Sequence, residues 1–398
     1  MKFSVLLPTR DRLELLRYAV ESVLRQDYRD WEVIVSDNCS RQDVAAYVRS
    51  LNDPRVKYSR TDSLLPVTEN WNRALQRGNG DYVVMLGDDD CLLPRYFTRL
   101  QRLIESYEGV DLVYHPALLF AYPGVIPGFP DGLLQPYGYA DFLKGETRPF
   151  RLDRERARRA VRNSMNFRIT FGFNMQFALF RRDLIDVLRA KGAFFQSPYP
   201  DYYAMNALFL NAARILVCPE PLVVIGMSTS SFGFHYINRS ERAGVQFLGN
   251  APSEEARRRL KDVLLPGADL NDSWLAAMEC LRLNYGQDFA LDVNHRRYRL
   301  LQIHACIAER RGADNAAPPL HELWPLLRPG EKLAGAALWI AAKVIHALPF
   351  RLSQIGKSAL SALLGIHPWY SPRRVTGRYR NILEVFESPD PLREQIPS

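Results

Sequence analysis

The sequence predicts an α/β fold, a doubly wound and mostly parallel sheet with a C-terminal helical extension. Three observations carry this. Short apolar runs alternate with amphipathic helical patterns through residues 1–116, most runs stop at polar or acidic residues, and beyond about residue 250 the pattern is mainly helical. Continuous rather than alternating apolar runs imply strands covered on both faces. Right-handed crossovers between such strands make their neighbours parallel.

The elements follow in order. FSVLLP (3–8) is the first strand, and Leu13, Leu16, Val20, Val23 and Leu24 line one face of the helix after it. WEVIVS (31–36) and a short helix come next, then RVKYS (55–59), a helix near 68–77, and YVVML (82–86). A helix led by Pro94 precedes DLVYH (111–115); proline suits a first helical turn because its missing N–H has no partner there anyway. The Gly- and Pro-rich stretch 121–150, with YPGVIPGFPDG, reads as a long loop or an insertion. Residues 167–226 return to mixed strand and helix and end in ILVCPEPLVVIG. A boundary near 236 separates one unit, 1–236, with halves at 1–116 and 160–236, from a mainly helical region, 237–398, holding a basic amphipathic segment at 331–366.

Bulk properties narrow the partners. A net charge of +8 and a pI near 9.2 suit anionic lipid, nucleic acid or phosphorylated ligands. No nucleic-acid-binding module is recognisable, so nucleic acid is not an expected partner. The five cysteines include no C-x-x-C pair, which argues against a disulfide framework or zinc site and fits a reducing cytoplasm. The apolar run in MKFSVLLPTRDR is too short for a signal-peptide core. No stretch reaches the roughly 18 apolar residues of a transmembrane helix. The nearest, LAGAALWIAAKVIHALPF (333–350), is broken by Lys343, His346 and Pro349, and its mixture of Trp339, Phe350 and basic residues suits a helix lying in a membrane interface or packed on the protein.

The chemistry concentrates where strands end, since ligands of doubly wound sheets bind outside the carboxyl ends of the strands. Three such ends stand out: PTRDR (8–12), SDNCS (36–40) and GDDD (87–90). Asp88, Asp89 and Asp90 repel one another, so such a cluster belongs in water, at a helix cap or around a cation. Hard oxygen ligands suit Mg²⁺ or Mn²⁺, which takes one or two carboxylates and completes its shell with phosphates and water. An acidic residue, Asp201, also opens the helix in SPYPDYYAMNALF (197–209), where it would serve as an N-cap. Eight arginines between 148 and 168 read as a solvated helix face or a cradle for phosphate.

Taken in this order, PTRDR, SDNCS and ENWNRALQRGNGDYVVMLGDDDCLLP resemble the family 2 glycosyltransferases of the GT-A fold over roughly residues 2–235. The resemblance implies an inverting transfer of a sugar from a nucleotide-sugar donor, UDP or dTDP rather than GDP, to a glycan or lipid-linked acceptor in cell-surface polysaccharide synthesis. It makes 1–116 the donor-binding half and 160–236 the acceptor half. By the same likeness Pro8, Thr9 and Arg12 match the opening strand motif, Asp37 accepts a hydrogen bond from the base, and Asn72 matches a polar family position. Aligned from Pro94, the family's D-x-D places Gly87 where the first acid stands, so Asp88 is assigned to ribose, Asp89 to the metal, and Asp90 a secondary role. Asp201 takes the general-base position, and His235 in STSSFGFH stands where some members have a third metal ligand. The implied setting is the cytoplasm, at the inner face of the membrane.

Other readings fit less well. No G-x-G-x-x-G follows the first strand, and IGKS (355–358) has Arg351 where a P-loop has glycine. Asp88 and Asp90 also make the D-x-D of a haloacid-dehalogenase-type phosphatase, but that family carries its nucleophilic Asp on the first strand, and here it would be on the fourth. A non-catalytic nucleotide-sugar-binding protein of the same fold remains the alternative.

Overall fold

A computed structural model describes residues 1–126, 131–237, 258–308, 320–365 and 378–391. Parts of the expected insertion (127–130) and of the helical region (238–257, 309–319, 366–377, 392–398) lie outside the described residues.

The first sheet has eight strands: β1 (Phe3–Thr9), β2 (Trp31–Asp37), β3 (Val56–Arg60), β4 (Tyr82–Met85), β6 (Leu112–Tyr114), β9 (Phe150–Leu152), β10 (Ala178–Arg181) and β11 (Ile215–Val217). Their order is β3-β2-β1-β4-β10-β6-β11-β9. The four strands β3, β2, β1 and β4 run parallel, as their continuous apolar runs require. β10 enters antiparallel between β4 and β6. Helices α1 (Leu13–Leu24), α2 (Val44–Ser50), α3 (Val67–Arg77) and α4 (Tyr96–Ser106) make the crossovers. α1 buries Leu16, Ala19, Val20 and Val23 on the expected face. α4 begins two residues after Pro94, with Arg95 before it in the left-handed region at φ 66°.

A second sheet was not legible in the sequence. Its five strands are β5 (Cys91–Leu92), β7 (Ala117–Ala121), β8 (Gly132–Tyr137), β12 (Val223–Met227) and β13 (Arg378–Tyr379), ordered β13-β8-β7-β12-β5. The stretch 121–150, expected as a loop or insertion, supplies the end of β7, all of β8 and the start of β9. Pro136 hid β8, but β13 pairs only with Gly132 and Leu133, so Pro136 lies on an edge where its missing N–H breaks no ladder.

On the acceptor side stand α5 (Arg154–Met165), α6 (Asp183–Arg189), α7 (Pro200–Asn211) and the short α8 (Phe232–Ile237). Asp153 caps α5, accepting from the N–H groups of Glu155 and Arg156. Beyond them come α9 (Asp269–Phe289), which packs on α7, α10 (His295–Ala308), α11 (Leu320–Leu323), α12 (Pro329–Ala347), α13 (Phe350–Leu363) and α14 (Ile382–Glu387). The segment expected as one amphipathic stretch at 331–366 is thus two helices, separated at Pro349. The chain then returns to the first unit: β13 joins β8, and α14 packs on α1 and β5.

Candidate active site

The aspartate triplet sits where the chain leaves one sheet for the other. β4 ends at Met85 in the first sheet, β5 begins at Cys91 in the second, and Gly87–Asp90 is the turn between them, closed by Asp90 N–H donating to the Gly87 carbonyl at 3.1 Å. The parallel register of β1 with β2 and β4 brings Thr9, Asp37 and this turn to one end of the sheet.

Each aspartate meets a different environment. Asp88 is fully buried; Thr9 Oγ1 donates to it at 2.7 Å and the Arg12 guanidinium pairs with it at 2.6 Å. Burial pushes its pKa up, the Arg12 charge pulls it back, and Asp89 adds to the rise. Asp89 Oδ2 accepts from Ser228 Oγ at 3.2 Å and from Ser231 Oγ, and Arg12 stands 3.4 Å away. Asp90 is turned into the protein: Oδ2 accepts from Gly87 N–H (2.6 Å) and Gln176 Nε2 (2.7 Å), Oδ1 from Gly226 N–H (2.9 Å). Burial and the Asp89 charge push Asp90 up as well. It does not cap α4; it latches the turn to β12 and to the segment before β10. Arg12, itself largely enclosed, is the cation that faces the triplet.

Two glycines make the turn possible. A Cβ on Gly87 would fall 2.6 Å from Asp90 Oδ2, so an acid at this position would collide with the latch. A Cβ on Gly226 would fall 1.7 Å from the Asp89 carbonyl oxygen, which is backbone and has little room to give. Gly226→Ala is therefore expected to push the turn off β12, with about 1–3 kcal/mol of lost stability in urea unfolding and a parallel loss of whatever the triplet binds. Retained ligand affinity in a variant of unchanged stability would show the contact to be dispensable.

Asp37 is fully buried at the end of β2. Its Oδ1 accepts from Ser40 N–H (2.9 Å), forming the Asx-type turn that SDNCS allows, and Cys39 takes a left-handed φ of 58° within it. Oδ2 accepts from Tyr58 OH at 2.8 Å, and Arg60 Nε lies 3.8 Å away. Tyr58 was not foreseen; as one tyrosine in a β-type run it carries no motif. Asn72 is on α3 and spends its amide on the Phe195 backbone, donating to the carbonyl (2.8 Å) and accepting from the N–H (3.0 Å). Pro8 precedes Thr9 at the end of β1, half-buried.

Asp201 lies in the first turn of α7, two residues after the N-cap Tyr199 and one after Pro200, so it is not itself the cap. It accepts from the Met175 N–H, and its Oδ1 is buried with no hydrogen-bond partner. Burial pushes its pKa up to about 7. The charge on Asp201, after burial itself, raises the nearby Tyr137 hydroxyl to about 12. The structure links this carboxylate to the triplet through consecutive residues of the 175–177 turn: the Met175 backbone holds Asp201, and the Gln176 side chain holds Asp90. Gln176 has no sequence signal of its own.

His235 sits on α8, one turn past Ser231, partly buried, its pKa lowered by that burial. Among the described residues, no three His, Cys, Asp or Glu side chains form a group that could hold a metal by themselves, His235 included. A divalent ion would have Asp89, whose Oδ1 accepts no hydrogen bond among the described residues, in a cluster of three carboxylates facing one arginine. Asp90 has spent both oxygens, which leaves Asp89 as the carboxylate that fits such an ion, with the rest of its shell from ligand and water.

Residues 4–118 match the model of the family described as "Glycosyl transferase family 2". Over 93 residues the chain is 39% identical to "Putative colanic acid biosynthesis glycosyl transferase WcaA" of Escherichia coli (strain K12), covering 23% of this chain and 33% of the relative. Over 113 residues it is 37% identical to the "GalNAc(5)-diNAcBac-PP-undecaprenol beta-1,3-glucosyltransferase" of Campylobacter jejuni, covering 27% and 37%. The matched part thus spans about a third of each of these relatives. Among solved structures, S. aureus TarS 1-349 in complex with UDP-GlcNAc aligns at a TM-score of 0.49 and 15% identity, over 92% of this chain and 86% of that one.

Proposed function

We propose that this chain, whose residues 4–118 match the model of glycosyl transferase family 2, moves a sugar from a nucleoside diphosphate sugar to a hydroxyl of a glycan or lipid-linked acceptor. The observation that carries the reading is the 175–177 turn, which ties a carboxylate of raised pKa, with one oxygen left without a partner, to the acidic strand ends where a donor would lie. The names of the two bacterial relatives, one for colanic acid biosynthesis and one for glucosyl transfer to an undecaprenol-linked glycan, favour a cell-surface polysaccharide product.

In the proposed mechanism Asp37, oriented by Tyr58 and Ser40, receives the N–H of the base, with UDP or dTDP preferred, and Thr9 holds Asp88 towards the ribose. Asp89 would hold a Mg²⁺ or Mn²⁺ ion, which supplies positive charge to the departing diphosphate. Asp201 Oδ1 takes the proton from the acceptor hydroxyl as its oxygen attacks the anomeric carbon. Attack from the face opposite the diphosphate is a single displacement and inverts the configuration. Desolvation of the Asp201 carboxyl raises its pKa to about 7, near neutrality, where a carboxylate is both deprotonated and basic enough to act.

The test is a panel of UDP-, dTDP- and GDP-sugars with Mn²⁺, read as donor hydrolysis and as transfer to a lipid-linked acceptor. Wild type is expected to turn over a uridine or thymidine donor, and Asp89→Ala to lose about 10²-fold or more. Donor binding without turnover would make the chain a binding protein, and a product with the donor's anomeric configuration would overturn the single displacement.

A further inference from the structure

Away from the catalytic side, α12 carries an apolar stripe that nothing in the described chain covers. Leu333, Ala337, Ile340, Val344 and Leu348 recur at spacings of four and three, which places them on one helical face. All are exposed, Leu333 by 76%, Ile340 by 57% and Val344 by 56%, and on α13 Leu352 and Ile355 are exposed by 51% and 64%. The opposite face of α12 is the packed one, where Gly335 approaches Ile303 and Leu327 and where Leu338 and Ala342 rest on the Ile303 cluster. A helix pair with one face satisfied and the other apolar in water has a second partner.

Charge indicates which one. Between residues 329 and 363 the ionised side chains facing outward are Lys332, Lys343, Arg351 and Lys357, while the single acid, Glu331, is held by Arg299 at 2.7 and 2.8 Å. Lys343 lies over the Trp339 ring at 5.3 Å, a cation and an aromatic side by side. Beside the start of α12, the loop after α5 and the start of α10 form a cavity of about 740 Å³, lined by Arg168, Arg296, Arg297 and Arg328 with Asn166 and Asn294, and by one acid, Glu331, which Arg299 pairs. Arg297 donates to the Phe167 and Leu364 carbonyls; no carboxylate pairs with Arg168 or Arg296 among the described residues, and the Arg328 charge acts on Glu331. Burial, then repulsion from Arg168, lowers the pKa of Arg297, and in this cavity four guanidinium groups face one acid.

No described helix is long and apolar enough to cross a membrane. We propose that the α12–α13 hairpin lies in the surface of an anionic bilayer, its apolar stripe in the acyl boundary and the adjacent arginine cavity closed on the phosphate of a lipid headgroup. A lipid phosphate meets both features at once, since guanidinium forks match phosphate oxygens and the acyl chains cover the stripe. The proposal concerns a different surface from the sugar-transfer reading, and its test involves no transfer reaction.

That test is co-sedimentation of the full chain with vesicles of phosphatidylglycerol and phosphatidylcholine, against phosphatidylcholine alone. Wild type is expected to bind the anionic vesicles and to shift Trp339 emission to the blue, a shift missing in Trp339→Phe. Ile340→Asp and Val344→Asp, both at exposed positions, should bind about tenfold or more weakly. Arg168→Glu and Arg296→Glu should each bind about fivefold or more weakly. Circular dichroism and melting temperature unchanged from wild type confirm that the variants are folded. Equal binding to neutral vesicles, stripe variants that bind like wild type, or arginine variants that bind like wild type would each overturn the proposal. So would a stripe-dependent dimer that forms without lipid and ignores vesicles, or inorganic phosphate filling the cavity as tightly as the vesicles do.

Discussion

Asp201→Asn is expected to lose transfer by about 10²–10⁴-fold while melting higher than wild type at pH 8. Both effects come from one property, the burial that pushes Asp201 up to about 7. The unfolded chain releases this proton near the ordinary carboxylate value of about 4. Between about 4 and about 7 the folded state therefore binds more protons than the unfolded one, so stability falls as pH rises through that window and stays low above it. The asparagine removes that slope and is expected to add about 2–4 kcal/mol at pH 8 and almost nothing at pH 4. Urea unfolding at the two pH values reads the stability. A transfer–pH profile of wild type should rise to a plateau above about 7, because only the carboxylate can accept the acceptor's proton. An Asp201→Asn variant that transfers normally, or a wild-type rate that falls as pH rises through 7, would remove Asp201 from the base role.

Arg12→Met is expected to destabilise the donor half strongly. Arg12 is the cation against Asp88 at 2.6 Å and Asp89 at 3.4 Å, and the side chains it faces are nearly excluded from water. Removing one partner of a buried pair costs about 3–5 kcal/mol because the remaining charge has no compensation. The sign of the pH dependence follows from the carboxylates. Asp88 and Asp90 have pKa values raised by burial, and without Arg12 they rise further, so the variant gains stability relative to wild type as these groups protonate on acidification. The loss measured by urea unfolding should accordingly be large at pH 8 and smaller at pH 5. An equal loss at both values would mean that Arg12 acts through packing of its stem rather than through charge.

The fold class was legible because the donor half writes its structure locally. The runs FSVLLP, WEVIVS and YVVML are strands buried on both faces, and the Leu16, Val20 and Val23 face of α1 is a helical period. Acidic residues at strand ends were equally visible, because placing charge at the tip of an apolar run is costly unless something there uses it. The second sheet was not legible. Its strands are two to six residues long, contain Pro136, and are assembled from positions as distant as Cys91 and Tyr379, so no local period announces them.

The candidate site divides in the same way. Thr9, Arg12, Asp37, Asp88, Asp89 and Asp201 could be named from residue type and position relative to the strands and helices. What they do to one another depends on long-range contacts. Three adjacent aspartates look equivalent in sequence, yet only folding points Asp88 at Thr9 and Arg12, Asp89 at Ser228 and Ser231, and Asp90 at Gln176 and the Gly226 N–H. Gly87, where the family resemblance places an acid, is explained only by the Asp90 carboxylate that occupies its side-chain space.

By itself, then, the sequence determined the parallel donor half, the acidic character of its strand ends and the carboxylate at the head of α7, because each is a matter of local period or of charge beside an apolar run. Tertiary structure alone decided the division of labour within the triplet, the joining of Asp90 to Asp201 through Gln176 and Met175, and the raised pKa of Asp201. These depend on desolvation and on hydrogen bonds between residues 26 to 142 positions apart, quantities that no window of sequence contains.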